Sequence, residues 1–131
     1  MRREFRLSEA DEQFLDGTGL DWEALREPSG LRVLVHRFRV PTGYNVQSTS
    51  LCVELSPGYP DAQLDMMYFL PHLARLDGKA LGAVSTGFRF DGRDWQRWSR
   101  HRTGQNPWRP GVDSLATHVL LVAEWLEREF R

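Results

Sequence analysis

The chain has 131 residues, of which 40% are hydrophobic and 27% are charged, values typical of one globular domain with a single core. Its formal net charge of −1 argues against a general attraction to nucleic acids or membranes, and no apolar run reaches the roughly 18 residues that a membrane span needs. The only cysteine, Cys52, excludes an internal disulfide and a multi-cysteine metal site. We therefore expect a single domain over residues 1–131 with no metal and no cofactor, and the lack of an apolar N-terminal stretch predicts a cytoplasmic location.

The first predicted element is a short helix that begins at Ser8. The stretch Ser8–Asp11 has the spacing of a capping box, in which the serine caps the helix and the aspartate reaches back to it. Gly17 is placed to end this helix. The spacing of Leu20, Trp22 and Leu25 predicts either a second packed turn or an extension of the first helix after a break.

The pattern changes to a period of two after a turn signal at residues 28–30. Residues 31–40 alternate as in a β-strand, with a change of phase at residues 36–37 that a β-bulge would explain. Residues 49–55 alternate as a second, half-buried strand, and residues 66–70 are predicted to form a third. Because the connections are short, an antiparallel meander is the simplest topology.

The stretch from residue 71 to residue 110 shows no sustained period, and we predict a long irregular segment that carries function. Within it, Asp91-Gly92 is a turn signal between two aromatic stretches and predicts a tight hairpin. Asp113 is placed to cap a C-terminal helix whose apolar stripe spans residues 112–130 at helical spacing. The expected fold class is therefore α+β, with the meander between two terminal helices.

Two stretches resemble motifs of the ubiquitin-conjugating-enzyme fold. Ser56–Pro60 is similar to the proline-rich turn between its second and third strands, and Trp108–Asp113 is similar to the Trp-x-Pro-Ala motif that opens the helix after the active site. Three further stretches resemble signatures of a bacterial branch of this superfamily, prokaryotic family E: Gly43–Asn45, Leu64–Met66 and Trp95–His101. The resemblance covers nearly the whole chain and implies a ubiquitin-conjugating-enzyme-like fold, with the irregular segment as its active-site region.

This resemblance also implies a place in a bacterial ubiquitin-like modification pathway. The implied partners are a ubiquitin-activating-enzyme-like protein, a ubiquitin-like protein and a target protein, and the implied setting is antiviral defence. Active conjugating enzymes carry a nucleophilic cysteine roughly eight to ten residues before the motif tryptophan. Counted back from Trp108, that window holds Trp98–Arg100 and no cysteine, and the His-Pro-Asn triplet of active enzymes is also missing.

Ser99 stands in the cysteine window and is the candidate nucleophile. A serine can form an oxyester if a neighbouring base takes its proton and a donor stabilises the oxyanion. His101 is the candidate base, and Arg100 is the candidate source of positive charge. The alternative is that Ser99 is an ordinary loop residue or a helix cap. Cys52 lies in the middle of a predicted strand, so we interpret it as a small buried hydrophobic residue and not as the nucleophile.

Tryptophans and arginines of the same region are candidate partner-binding residues: Trp95, Arg97, Trp98, Trp108 and Arg109. Tryptophan and arginine are favoured at protein interfaces, so one interpretation is an anchor that docks a partner. A second interpretation is that some of these tryptophans belong to the core. A third is a stacking surface for single-stranded nucleic acid, which the acidic remainder of the chain disfavours.

Three functions are open at this point. The first is a transferase that accepts a ubiquitin-like C-terminus and passes it to a target amine. The second is an inactive adaptor that binds the activating enzyme and the ubiquitin-like protein without covalent chemistry, which the missing cysteine favours. The third is a nucleic-acid-binding module, whose affinity would fall steeply with salt.

Overall fold

The N-terminal helix, α1, spans Glu9–Gly17 in a computed structural model that describes residues 1–131. It begins where the sequence predicts, because the Ser8 hydroxyl accepts a hydrogen bond from the Asp11 backbone N–H at 3.1 Å. The Asp11 carboxylate does not close the predicted capping box. It accepts a hydrogen bond from the Tyr59 hydroxyl at 2.7 Å instead, and so ties the first turn of α1 to the loop that contains Tyr59.

Six strands follow in one antiparallel sheet: β1 Trp22–Glu27, β2 Gly30–Arg39, β3 Ser48–Leu55, β4 Met67–Leu70, β5 Val84–Phe90 and β6 Arg93–Trp98. Their order is β1-β2-β3-β4-β6-β5, so the first four form a meander and the last two add a hairpin beside β4. The predicted bulge lies between Val35 and Phe38 of β2. The α+β fold class, with an antiparallel meander between two terminal helices, is confirmed.

The prediction of a second helical turn at residues 20–25 is wrong, because these residues belong to strand β1. Trp22 pairs with Val35 and Leu25 pairs with Arg32 across the β1–β2 ladder. The first four residues of β1 are all buried, so the strand shows no alternation of apolar and polar positions. A strand covered on both faces loses the period-two signal, and its apolar spacing then imitates that of a helix.

The prediction of an unbroken irregular segment from residue 71 to residue 110 also needs correction. The β5–β6 hairpin occupies Val84–Trp98, and it turns at Asp91-Gly92 as the sequence predicts. The ladder is interrupted between Ser85 and Phe88, which breaks the strand period that would have revealed β5. Irregular backbone remains on both sides of the hairpin, and the second part of it leads to the C-terminal helix.

Both faces of the sheet carry buried side chains. Both helices pack on one face, where the larger core includes Val33, Leu51 and Phe69. The opposite face carries a smaller core: Leu25, Leu34, Cys52, Tyr68, Phe90 and Trp95. The sheet is curled enough that Asp91, in the β5–β6 turn, donates its backbone N–H to the carboxylate of Glu27, the last residue of the opposite edge strand β1. The hairpin therefore encloses the second core.

The C-terminal helix, α2, spans Leu115–Arg128. Its N-cap is Ser114 and not the predicted Asp113, whose carboxylate instead accepts the backbone N–H of Arg109 at 2.7 Å. The predicted apolar stripe is shorter at its start, because Val112 is 60% exposed. No helix of the structure is long and apolar enough to cross a membrane.

The two stretches that resemble conjugating-enzyme motifs contact each other at the start of α2. The Tyr59 hydroxyl accepts the backbone N–H of Leu115 at 2.7 Å, and the Trp108 indole N–H donates to the Pro60 carbonyl at 3.0 Å. Tyr59 therefore holds the first turns of both helices, and Trp108 fixes the incoming loop to the proline-rich turn. This arrangement determines the path of residues 99–107, which run from the end of β6 to Trp108.

Candidate active site

Ser99 and His101, the predicted nucleophile and base, lie together directly after β6. The Ser99 backbone N–H donates to the Ala83 carbonyl at 2.9 Å, so its position follows from the end of the β5–β6 ladder. The Ser99 Oγ lies 3.3 Å from His101 Nε2. Both side chains are accessible to solvent, and the His101 side chain is 56% exposed. The structure therefore brings together the two residues in which the sequence predicts acyl-transfer chemistry.

Asp65 is the third member of this arrangement and was not predicted. Its two carboxylate oxygens lie 2.8 and 3.0 Å from His101 Nδ1. The approach follows from strand pairing, since Met67 of β4 lies opposite Trp98 of β6. Leu64–Met66 is one of the stretches that resemble family signatures, but the sequence alone assigned no role to its carboxylate. We refer to Ser99, His101 and Asp65 as the loop triad.

The backbone beside Asp65 is held from two sides. Met66 adopts a left-handed conformation with φ of 59°, which is uncommon for a residue with a side chain. Its N–H donates to the Arg100 carbonyl at 3.0 Å, and its carbonyl accepts from His118 Nε2 at 2.9 Å. Burial lowers the pKa of His118 to about 4, so its imidazole is neutral near pH 7. These two contacts fix the position from which Asp65 reaches His101.

Two surface grooves flank the loop triad. His101 lines a groove of about 470 Å³ that also contains Arg102 and, from α2, Trp125. Asp65 lines a second groove of about 320 Å³ that contains Arg97 and Tyr68. Two members of the triad, His101 and Asp65, therefore each line a groove, whereas Ser99 lines neither.

Arg100, the predicted source of positive charge at Ser99, is engaged elsewhere. One terminal nitrogen donates to the carbonyls of Gly82 and Ser99, each at 3.0 Å. The other donates to the Glu129 carboxylate at 2.9 Å. These contacts connect the loop before β5 to the C-terminal end of α2. The guanidinium forms no hydrogen bond to the Ser99 hydroxyl, and a direct role of Arg100 at that oxygen stays a prediction.

Trp95 and Trp98 lie in the interior and not on a partner-binding surface. Both are 0% exposed, Trp98 in the larger core and Trp95 in the smaller one. Their buried indole N–H groups donate to the Phe90 carbonyl and to the Gln96 side chain, at 3.2 and 3.0 Å. Neither ring can contact a partner in this structure, which corrects the prediction for these two residues. Because they are three residues apart on β6, they face opposite sides of the sheet, and β6 contributes to both cores.

The other three predicted partner-binding residues reach the surface. The Arg109 side chain is 66% exposed, and Trp108 is partly exposed beside it. Arg97 is half-buried over the Phe88 ring, with 4.3 Å between the guanidinium carbon and the ring centroid, and it lines the groove of Asp65. These residues lie on two sides of the segment that carries Ser99, so they do not form one continuous patch of tryptophan and arginine.

Cys52 is fully buried on the sheet face covered by the hairpin. This burial raises the pKa of its thiol, since the charged form would be stripped of water. A thioester carrier needs an accessible thiolate in an electropositive environment. Cys52 does not meet that requirement in this structure.

A second serine, histidine and carboxylate set lies across three strands. His36 Nδ1 is 2.8 Å from Ser50 Oγ, and His36 Nε2 is 3.0 Å from a Glu23 carboxylate oxygen. Arg2 donates to both oxygens of Glu23 at 3.1 Å and also binds Asp91. We refer to Ser50, His36 and Glu23 as the sheet triad. None of the principal surface grooves is lined by any of its members.

A six-stranded antiparallel sheet between an N-terminal and a C-terminal helix is the arrangement of a ubiquitin-conjugating-enzyme-like α+β fold. The chain matches the family model described as Prokaryotic E2 family E over residues 7–129, and it belongs to that family. No curated protein and no solved structure gives a significant match to the chain.

Proposed function

We propose that this protein is a conjugating component of a bacterial ubiquitin-like modification pathway and that Ser99 carries the transferred acyl group. The observation that carries this proposal is the 3.3 Å approach of Ser99 Oγ to His101 Nε2 at the end of β6. Membership in the prokaryotic E2 family supports the pathway, and the implied partners are an activating enzyme, a ubiquitin-like protein and a target protein. The location that goes with this proposal is the cytoplasm.

The reaction has two steps. First, Ser99 Oγ attacks the carbonyl carbon of the thioester between the ubiquitin-like C-terminus and the activating enzyme. His101 takes the hydroxyl proton and the enzyme thiolate leaves, which produces an oxyester on Ser99. Second, a target amine attacks the oxyester carbonyl, the Ser99 oxygen leaves with the proton that His101 took in the first step, and the amine releases its own proton to solvent. The product is an amide, and no oxidant or metal is required.

Arg109 and Trp108 are the residues that we propose for docking the activating enzyme or the ubiquitin-like protein. They reach the surface in the loop before α2, where Trp108 is bonded to Pro60 of the proline-rich turn. Large amphipathic side chains at such positions contribute strongly to protein interfaces. Because the Trp108 indole N–H is bonded to Pro60, its loss would also loosen the turn, so Arg109→Ala is the cleaner test of binding.

The experiment is a reconstituted transfer with the cognate activating enzyme, ATP and the ubiquitin-like protein. We expect an adduct on this chain that resists thiol reductants, which cleave a thioester, and that is cleaved by mild alkali, which leaves an amide intact. Ser99→Ala should abolish it, and Cys52→Ala should not. An adduct that reductant removes, or one that survives in Ser99→Ala, would contradict the proposal.

An adaptor without covalent chemistry is the second candidate. The observation that favours it is the engagement of Arg100, which leaves the Ser99 hydroxyl without a cationic side chain to stabilise an oxyanion. In that case Ser99→Ala and His101→Ala would leave conjugation in the reconstituted system intact, whereas Arg109→Ala would weaken binding of the activating enzyme. The two candidates therefore predict opposite results for the serine variant.

A further inference from the structure

Asp65 gives the loop triad the order of contacts found in serine hydrolases. In those enzymes the carboxylate binds Nδ1 of the histidine, the serine binds Nε2, and the carboxylate fixes the tautomer and stabilises the imidazolium. Here Asp65 is 2.8 Å from His101 Nδ1, and Ser99 Oγ is 3.3 Å from Nε2. The carboxylate therefore directs the Nδ1 proton to itself and leaves the Nε2 lone pair for the serine proton.

The Asp65 charge is directed at the histidine and is not neutralised by a cation. Its contacts within the chain are His101 and the Met66 backbone N–H at 3.1 Å, and no arginine or lysine forms an ion pair with it. The carboxylate can therefore stabilise positive charge on the imidazole when the serine proton moves. An aspartate already paired with an arginine would provide much less of this stabilisation.

Two unpaired backbone donors lie next to Ser99 in the chain. The backbone N–H groups of Arg100 and His101 follow the serine directly, and neither donates a hydrogen bond within the chain. Oxyanion sites of acyl transfer are commonly built from such backbone donors, including the N–H groups next to the nucleophile. This source of stabilisation does not depend on the Arg100 side chain.

We propose that Asp65 is a positioning residue that makes Ser99 reactive by itself toward activated carboxylic esters, so that the protein has an intrinsic ester-hydrolysing activity. Ser99 Oγ bonds to the ester carbonyl carbon, its proton passes to His101, and the alkoxide or phenolate leaving group departs. Water then attacks the acyl-serine, which releases the carboxylic acid and restores the hydroxyl. The inference uses the same serine and histidine as the proposed function, but it needs neither an activating enzyme nor a ubiquitin-like protein.

The test uses the intact chain with p-nitrophenyl acetate and a fluorophosphonate probe. We expect wild-type protein to release p-nitrophenolate above the buffer rate and to bind the probe at Ser99, as mapped by mass spectrometry. Ser99→Ala should lose both signals. Asp65→Asn should slow both by on the order of 10²-fold, because the neutral amide cannot stabilise the imidazolium. The Asn oxygen can still accept the Met66 N–H, so the loop conformation should be retained.

Two controls separate positioning from folding. Asp61→Asn removes a nearby exposed carboxylate that has no partner in the chain, and it should react as wild type. Asp65→Glu keeps the charge and should recover part of the lost rate, whereas a purely structural role would give no such recovery. Thermal unfolding of each variant verifies that it is folded.

Each outcome decides the proposal. Labelling of Ser99 that Asp65→Asn slows supports it. Labelling that Asp65→Asn leaves unchanged, or wild-type reactivity equal to that of Ser99→Ala, overturns it. A wild type that is silent toward both small probes but forms a Ser99 oxyester with the activating enzyme would overturn this inference and leave the proposed function standing. Ester hydrolysis at Ser99 without transfer in the reconstituted system would support this inference and overturn the proposed function.

Discussion

The loop triad and the sheet triad contain the same types of side chain, yet their surroundings give them different roles. The sheet triad has the shorter serine contact, 2.8 Å against 3.3 Å. Its carboxylate, however, is bound by an arginine, whose hydrogen bonds lower the pKa of Glu23 to about 2. Its members lie on strands beside the N-terminal segment, while the loop triad lies between two grooves.

A serine–histidine–carboxylate chain is not by itself evidence of an active site. In the sheet triad the carboxylate charge is satisfied by Arg2, which also binds Asp91 and so joins the N-terminus to the hairpin turn. In the loop triad the carboxylate has no cation and its histidine is largely exposed. The first arrangement ties the N-terminus to the sheet, and in the second a largely exposed histidine lies beside Ser99.

The largest expected difference concerns the two serines. Ser99→Ala should abolish both the transfer adduct and probe labelling, because it removes the attacking oxygen. Ser50→Ala should leave both signals at the wild-type level, since its histidine is bonded to a Glu23 carboxylate whose charge Arg2 already neutralises. Gel assays and mass-spectrometric mapping check both variants. Loss of labelling in Ser50→Ala with retention in Ser99→Ala would reverse the assignment of the two triads.

For the free energy of unfolding, the carboxylate of the sheet triad, Glu23, should matter more than the carboxylate of the loop triad, Asp65. Glu23→Gln weakens hydrogen bonds to Arg2 and His36 at a position that is 10% exposed, and we expect a loss of about 1–3 kcal/mol. Asp65→Asn alters an exposed pair and should change the free energy of unfolding by less than about 1 kcal/mol. Chemical denaturation of both variants gives the comparison. Equal losses would contradict the division of roles.

The decrease in the free energy of unfolding at acid pH should depend on Glu23 of the sheet triad. The pKa of Glu23 falls from 4.5 to about 2 on folding, chiefly through hydrogen bonds from Arg2. The carboxylate therefore contributes stability above pH 4.5, and that contribution is lost as the pH falls toward 2. Arg2→Ala should make this decline shallower, which denaturation between these two pH values would show. An unchanged slope would contradict the assigned cause.

The smallest expected difference is in the accessibility of the two histidines. The His101 side chain is 56% exposed, and that of His36 is 21% exposed with both ring nitrogens bonded. We expect diethylpyrocarbonate to modify His101 several-fold faster than His36 under native conditions. Peptide mapping at short reaction times measures the ratio, and faster modification of His36 would be inconsistent with the structure.

Local sequence signals predicted the parts of the molecule that depend on neighbours in the chain. Ser8 caps α1, the hairpin turns at Asp91-Gly92, and Ser99 meets His101 two residues later. Asp65 could not be found in this way, because only the pairing of β4 with β6 brings it to His101. Its position depends on tertiary structure and not on spacing.

Burial on both faces of the sheet explains the predictions that failed. A half-buried sheet would have shown alternation in β1 and would have left Trp95 on the surface. Instead the hairpin curls over the second face, so Trp95 is buried there and the first four residues of β1 are all covered. Composition and periodicity do not reveal such a curl, since it depends on contacts between opposite edges of the sheet.

Acylation of Ser99 is the central claim, and site mapping of the transfer adduct tests it most directly. The wild-type chain, incubated with its activating enzyme, ATP and ubiquitin-like protein, should yield a peptide in which the ubiquitin-like C-terminus is joined to Ser99 by an alkali-labile ester. A C-terminus found on any other residue, or a fully active pathway in which this chain is never modified, would contradict the account.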